Sequence, residues 1–198
     1  MKNKFDLRFT KTEYLIKSEF IKLLEKKQFS DISVSEICKY ALCSRNAFYA
    51  HYTNKDHLLD SIINEVLDKI DKQCILSATK IQELNNKLVL EYCEKVINAV
   101  EKERNILMVF LKSNRDTIYK KLSDSIYESF IKNSLKISKN ADSAEYRLYC
   151  RFASSGFIAF IVDSLEKYEL PTDEIKRIFL NIAKNYFVKT SDFLLNKL

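Results

Sequence analysis

The segment SVSEICKYALCSRNAFYAHYTNK, residues 33–55, concentrates side chains that can bind a nucleic acid. An arginine can donate two hydrogen bonds to one guanine, and an asparagine can pair in the same bidentate way with adenine, so Arg45 and Asn46 are candidate base readers. Side chains that can hold the phosphate backbone follow closely: Tyr49, His51 and Lys55. These residue types predict a surface that holds DNA by its backbone and selects a sequence by its base edges.

Other chemistry has little support in the sequence. His51 and His57 are the only histidines, so no histidine-based metal cluster can be assembled, and no Gly-x-Ser-x-Gly, phosphate-loop or His–Cys–Asp arrangement occurs. Carboxylate pairs such as Glu101 and Glu103 lie in segments of mixed charge, where a solvated face is the ordinary interpretation. We therefore predict no catalytic residue, no metal and no cofactor.

The five cysteines show no Cys-x-x-Cys spacing, which favours buried thiols in a reducing compartment over a disulfide framework or a zinc site. Cys38 and Cys43 can approach each other across a turn, where simple packing is favoured over a redox switch. The N-terminal segment lacks the apolar core of a signal peptide, and the apolar run GFIAFIV (156–162) is too short to span a bilayer. We expect a soluble, cytoplasmic protein with no membrane partner.

The elements that must position the candidate residues are helices. Gly156 and Pro171 are the only glycine and proline, so the chain has few residues suited to the sharp turns of β-structure, and the fold class is predicted to be all-α. Helical periodicity and turn signals predict about nine helices. Their approximate ranges are 12–27, 34–40, 44–49, 56–80, 84–102, 104–113, 116–138, 143–168 and 173–196.

Capping residues mark the helix starts around residues 33–55. Ser33 with Glu36, and Thr53 with Asp56, fit the capping-box pattern, and Ser44 can cap the short helix between them. Two short helices separated by about three residues describe a helix-turn-helix, whose second helix can enter a major groove. The residues that fit its inward face are Ile37, Cys38, Ala41, Cys43 and Phe48.

Arg45, Asn46 and Ala47 then project outward near the start of the second helix, where base edges are met. Hydroxyl groups and helix N-terminal amides can bind phosphates at Ser33, Ser44 and Thr53. Two aromatic residues are ambiguous: we expect Tyr52 in the core and Tyr49 on the surface. An ordinary surface histidine is the alternative for His51.

Charge is unevenly distributed along the chain. Residues 1–56 hold eleven Lys or Arg against seven Asp or Glu, whereas the other 142 residues hold 22 against 20. A basic first quarter predicts a module for a polyanion, residues 1–56, followed by a helical body with another role, residues 57–198. On charge alone, a merely solvated basic face is an equal alternative.

The motif resembles the DNA-binding domain of TetR-family transcriptional regulators. The likeness is carried by SVSEI (33–37), Ala41 followed by Ser44-Arg45, Phe48-Tyr49, His51-Tyr52, and Asn54-Lys55 before Leu58-Leu59. By position, the resemblance implies base contacts for Ser35, Arg45 and Asn46, and backbone contacts for Ser33, Tyr49, His51 and Lys55. The sequence departs from the family at Gln28 and Leu42, where relatives commonly have glycine. Leucine at positive φ costs on the order of 1 kcal/mol, so the turn either strains Leu42 or follows another path.

Small and aromatic residues in the last two predicted helices indicate a surface for a second copy. Ala153, Gly156 and Ala159 recur at a spacing of three, which lets another helix approach closely. The predicted interface consists of Phe152, Ala153, Gly156, Phe157, Phe160, Ile178, Phe179, Ile182 and Tyr186. The resemblance points to the same two helices; an internal helix–helix seam is the alternative.

The middle helices carry a pool of aromatic residues that suits an apolar or aromatic effector, although core packing explains most of them. They are Tyr92, Phe110, Tyr119, Tyr127, Phe130 and Tyr149, and no pocket can be assigned from them. The resemblance implies a homodimeric repressor or activator that binds palindromic operator DNA, and we predict a repressor that is released by a small molecule. The alternatives are a helical protein–protein adaptor that retains the fold without specific DNA binding, and a small enzyme.

Overall fold

The computed structural model describes residues 4–73, 86–136, 142–167 and 170–195. These ranges contain α-helices and a short 3-10 turn, Phe29–Asp31, and no strand, which confirms the all-α prediction. The helices are α1 (Lys4–Leu24), α2 (Val34–Tyr40), α3 (Arg45–His51), α4 (Lys55–Gln73), α5 (Asn86–Lys102), α6 (Arg104–Leu135), α7 (Ala144–Glu166) and α8 (Thr172–Leu195).

The described residues form eight helices rather than the predicted nine, because two predicted elements are joined in α6. Asn114, at the predicted boundary, has φ −158° and ψ 68°, so the helix is interrupted there but resumes at once. The other large difference is α1, which begins at Lys4 rather than at residue 12. The part of the fourth predicted helix that follows Gln73 lies outside the described residues.

The chain divides into two compact units. Unit 1 comprises Met1–Val66 with Asn105–Asp116, and unit 2 comprises Leu67–Arg104 with Thr117–Leu198. The functional boundary after residue 56 stays a prediction. No helix of the described residues is long and apolar enough to cross a membrane.

Unit 1 is organised by the packing of α1 against α2 and α3. Apolar residues of α1 at helical spacing, Ile16, Phe20, Leu23 and Leu24, are buried, as an amphipathic helix requires. The first half of α4 contributes a second apolar face to this core: Leu58, Leu59, Ile62, Ile63 and Val66.

Within unit 2, α8 packs along α5 and also contacts α7. The buried face of α5 contains Val96, Ile97 and Val100, while Ile175 and Ala183 bury the matching face of α8. The rings of Phe157 and Phe179 meet edge to face with centroids 4.7 Å apart and fix α7 against α8.

Candidate nucleic-acid interface

The two helices of the helix-turn-helix begin at the predicted capping residues. The backbone N–H of Glu36 donates to Ser33 Oγ at 3.2 Å, and that of Ala47 donates to Ser44 Oγ at 3.1 Å. The Glu36 carboxylate does not close the predicted box around Ser33, because it is paired with Lys27 Nζ at 2.6 Å. Each serine still has its hydroxyl proton free to donate, so phosphate binding is compatible with capping.

The turn between α2 and α3 is a Schellman motif centred on a leucine. The N–H of Cys43 donates to Cys38 O at 3.1 Å, and the N–H of Leu42 donates to Lys39 O at 3.4 Å. Leu42 has φ 51°, in the left-handed region that glycine adopts without steric cost. Of the two paths considered from the sequence, the chain therefore takes the strained one, and Leu42 projects into solvent with 92% of its surface exposed.

The inward side of the motif consists largely of the expected residues. Ile37, Cys38, Ala41 and Phe48 are buried, whereas Cys43 is only partly covered. Burial, followed by the neighbouring Cys38, raises the pKa of the Cys43 thiol to about 11. This thiol is therefore protonated at neutral pH, which favours packing over redox chemistry.

The first turn of α3 presents the candidate readers to solvent. Arg45 and Asn46 are exposed at the helix start, and Tyr49 lies one turn further on the same side with its ring half exposed. Ser35, in the first turn of α2, is also exposed, while Ala47 is partly covered. We call the outward surface formed by Ser35, Arg45, Asn46 and Tyr49 the reading surface.

His51, at the last turn of α3, is held by a contact that the sequence analysis missed. Its ring lies 3.8 Å, centroid to centroid, from that of Phe9 in α1. Burial, only partly opposed by Glu13, lowers the pKa of His51, so the imidazole is neutral at pH 7. Phe9 continues the face that carries Ile16 and Phe20, and this helical spacing was the signal available in the sequence.

Lys55, a predicted phosphate contact, is engaged within the protein. Its ammonium donates to three backbone carbonyl oxygens: Phe29 at 2.8 Å, Ser30 at 3.1 Å and Ile32 at 2.8 Å. It also lies 4.6 Å from the centroid of the Phe29 ring. Lys55 thus ties the start of α4 to the loop between α1 and α2, and its contact with DNA stays a prediction.

The start of α4 corrects the second predicted capping box. Asn54 Oδ1, rather than the Thr53 hydroxyl, accepts the N–H of His57, at 2.7 Å. The Thr53 N–H donates to Nδ1 of His57 at 3.2 Å. Asn54 is as strong a cap as threonine, so the prediction had the right kind of signal one residue too early.

A polar cluster fixes α1 beside α3, which we call the reading helix. Lys17 forms ion pairs with Glu13, at 2.6 Å, and with Glu65 of α4. The Tyr52 hydroxyl donates to Glu13 at 3.3 Å, and the Tyr52 ring is buried, as expected. The Lys17 hydrogen bond is the main reason that the pKa of Glu13 is lowered.

The residues predicted to form a dimer interface separate into a floor and a rim in unit 2. Ala153, Phe157 and Phe179 are buried and form the floor of a shallow apolar groove of about 150 Å³. Phe152 and Ile182 are exposed on the rim, as is Gly156. Phe160 and Ile178 are partly covered, and the side chain of Tyr186 lies outside the described residues.

Leu148 extends the rim of this groove by one turn. It is exposed and precedes Phe152 by four residues on α7, so both lie on one side of the helix. Its spacing was visible in the sequence, but an isolated exposed leucine is common on protein surfaces. We include Leu148 in the rim of the groove because other residues on the same side of α7, such as Phe152, are also exposed.

The aromatic residues of the middle helices lie in separate surroundings, and no effector pocket is assigned to them. Phe110 is fully buried, Tyr127 is buried beside Arg151, and the Tyr119 hydroxyl donates to Ser155 O at 3.2 Å. The rings of Tyr92 and Phe130 lie 6.1 Å apart. In the described ranges, no three His, Cys, Asp or Glu side chains lie close enough together to hold a metal ion.

Comparison with known proteins matches both parts of the chain. A family model described as "Bacterial regulatory proteins, tetR family" matches residues 21–62, and one described as "Transcriptional regulator C-terminal region" matches residues 88–185. The HTH-type transcriptional regulator YxbF of Bacillus subtilis (strain 168) is 23% identical over 188 residues. That alignment covers 92% of this chain and 48% of YxbF, so the chain spans about half the length of this relative.

Two solved structures share the fold. A TetR transcriptional regulator from Streptococcus agalactiae 2603V superposes with a TM-score of 0.65 at 19% identity, covering 90% of this chain and 96% of that one. The dihydroxyacetone kinase operon activator DhaS superposes with a TM-score of 0.57 at 16% identity, covering 90% and 97%. With the two family models covering most of the sequence and the capped helix-turn-helix in place, this chain belongs to the TetR family of transcriptional regulators.

Proposed function

We propose that this chain is a transcriptional repressor that binds a palindromic operator as a homodimer and releases it when a small apolar or aromatic effector binds. The observation that carries DNA binding is the reading surface, where exposed Arg45 and Asn46 stand at the capped start of α3. Arg45 reads a guanine and Asn46 an adenine in the major groove. Tyr49 and the hydroxyls of Ser33 and Ser44 position the helix on the phosphates.

The groove between α7 and α8 supports the homodimer. Phe152 and Ile182 expose large apolar surfaces to water on a single monomer. Burying these surfaces against a second copy is favourable, because it removes apolar area from water. Two reading helices in successive major grooves then stand about 34 Å apart, so each operator half-site is one helical turn from the other.

DNA selection from a random-sequence library tests the central proposal. The expected product is an inverted repeat, bound at least about a thousandfold more tightly than random DNA at moderate salt. Arg45→Ala should weaken the free energy of operator binding by about 1–3 kcal/mol and reduce sequence specificity at one base pair in each half-site. Lys26→Ala, which changes an exposed lysine just after the end of α1, serves as the control and should leave binding unchanged. A library that yields no enriched motif would remove the regulator proposal and support the adaptor alternative.

The direction of regulation and the effector need separate measurements. One structural relative, DhaS, is named as an operon activator, whereas our proposal expects lower transcription from a reporter placed under the selected operator. Higher transcription would assign activation instead. Support for an aromatic or apolar effector comes from the Tyr92 and Phe130 rings in unit 2. A panel of such compounds should contain one that both raises the melting temperature and releases the operator.

A further inference from the structure

The positive charge of unit 1 is concentrated at the beginning of α1. Residues 1–11 hold four Lys or Arg against one Asp, which is three of the four net positive charges of residues 1–56. Arg8 and Lys11 belong to this segment, and both side chains are exposed. Arg8 and Lys11 therefore form a basic patch on α1 that is separate from the reading surface.

Several other Lys and Arg side chains of residues 7–55 already have partners within the protein. Lys17, Lys22 and Lys27 are paired with carboxylates, and Lys55 is held by three carbonyl oxygens. Among the described side chains of residues 7–55, five Lys or Arg have neither an ion pair nor carbonyl contacts like those of Lys55: Arg8, Lys11, Lys26, Lys39 and Arg45. Arg8 and Lys11 are thus two of the five that remain available to neutralise a polyanion.

The stacking of Phe9 on His51 links this basic segment to the end of the reading helix. Phe9 lies between Arg8 and Lys11 in sequence, so its contact at 3.8 Å anchors the turn that carries both cations. His51 is itself one of the side chains that the sequence predicts to contact the phosphate backbone. The basic turn is therefore continuous with the proposed DNA interface.

We propose that the first two turns of α1 form a second backbone contact with duplex DNA, in which Arg8 and Lys11 bind phosphates that flank the sequence read by α3. This inference rests on the proposed function. The contact carries no base information, because the two side chains reach phosphates only. Its role is to add affinity and to fix the angle of α3, with Phe9 as the positioning residue.

Salt titration of DNA binding tests the contact. Arg8→Gln and Lys11→Gln are compared with wild type on the selected operator and on random DNA, and Lys26→Gln is the matched control, an exposed unpaired lysine beyond the opposite end of α1. In a dimer each of the first two substitutions removes two phosphate contacts, so the salt slope should fall by about two. Affinity should fall on the order of 10- to 100-fold at 0.1 M salt, equally on both DNAs. Lys26→Gln should change neither quantity.

Phe9 variants separate positioning from charge. Phe9→Ala keeps both cations but removes the ring contact with His51, and it should weaken operator binding while Phe9→Tyr restores it. Circular dichroism should show unchanged helix content in all these variants.

The remaining outcomes distinguish failure of the α1 contact from failure of the proposed function. A wild-type chain that selects no motif refutes the proposed function together with this inference. If wild type binds its operator and Arg8→Gln and Lys11→Gln behave like Lys26→Gln, the α1 contact is wrong and the proposed function stands. A loss confined to particular sequences would make Arg8 or Lys11 a base reader and overturn the phosphate assignment.

Discussion

Replacing Leu42 with glycine should stabilise the protein. The residue occupies the left-handed position of the Schellman turn, which costs a residue with a Cβ about 1–2 kcal/mol. The extra freedom of glycine in the unfolded chain costs about 0.5–1 kcal/mol. Because Leu42 is 92% exposed, truncation removes almost no buried apolar surface. The expected net gain is therefore about 0.5–1 kcal/mol, or a rise of about 1–4 °C in melting temperature for a chain of this length.

The assay combines thermal melting with amide exchange. The Leu42 and Cys43 N–H groups donate the two hydrogen bonds of the turn, so their exchange should slow in Leu42→Gly. Leu42→Ala is the matched control, since alanine removes the same side chain but keeps the Cβ that meets the steric conflict; it should melt like wild type. Equal gains from alanine and glycine would show that the exposed side chain, not the backbone, was the source of strain. A destabilised Leu42→Gly would refute the reasoning altogether.

Three further predictions concern residues with defined contacts. Lys55→Met should lower the free energy of unfolding by about 2 kcal/mol, because three carbonyl oxygens lose a charged donor. The salt dependence of DNA binding should not change; a shallower dependence would show that Lys55 does bind a phosphate. Gly156→Ala should stabilise the separate protomer by about 0.5–1 kcal/mol, since a Cβ there meets no atom within 4 Å. The same change should weaken association of two copies in sedimentation equilibrium. Unchanged association would show that the second copy does not pack closely against Gly156. The pKa of His51 is lowered on folding, so its contribution to stability is full above about pH 6.5 and is lost as the pH falls below that value. The free energy of unfolding of His51→Gln should therefore change less than that of wild type between pH 7 and pH 5.5.

Much of the helix-turn-helix could be predicted from the sequence because its determinants are local. Ser33 and Ser44 cap helices whose starts lie one residue away, and the inward residues follow from helical periodicity. The error at Thr53 has the same origin: Thr53 and Asn54 are adjacent capping residues, and backbone geometry chose between them. The polar run from Thr10 to Glu13 separates Phe9 from the apolar residues that begin with Tyr14 and Leu15, so the local pattern does not show that α1 begins at Lys4.

The contacts of Lys55 and His51 show where local reasoning ends. The Lys55 ammonium binds carbonyl oxygens of residues 23 to 26 positions earlier in the chain, and His51 stacks on a ring in α1. Neither partner has a fixed sequence spacing, and backbone carbonyls carry no residue identity that a pattern could reveal. Residue type, position and family resemblance therefore predicted a phosphate contact for Lys55, while the structure gives its charge an internal role.

By itself, the sequence determined the all-α class and the position of the helix-turn-helix, and it predicted the candidate side chains for DNA contact, because helix propensity, capping and periodicity act within a few residues. Tertiary structure decided which of those side chains remain available. It left Arg45 and Asn46 exposed, turned Lys55 inward, and placed the basic start of α1 against the end of α3. It also decided the path at Leu42, where two turn hydrogen bonds and the packing of α2 against α3 outweigh the steric preference of one leucine.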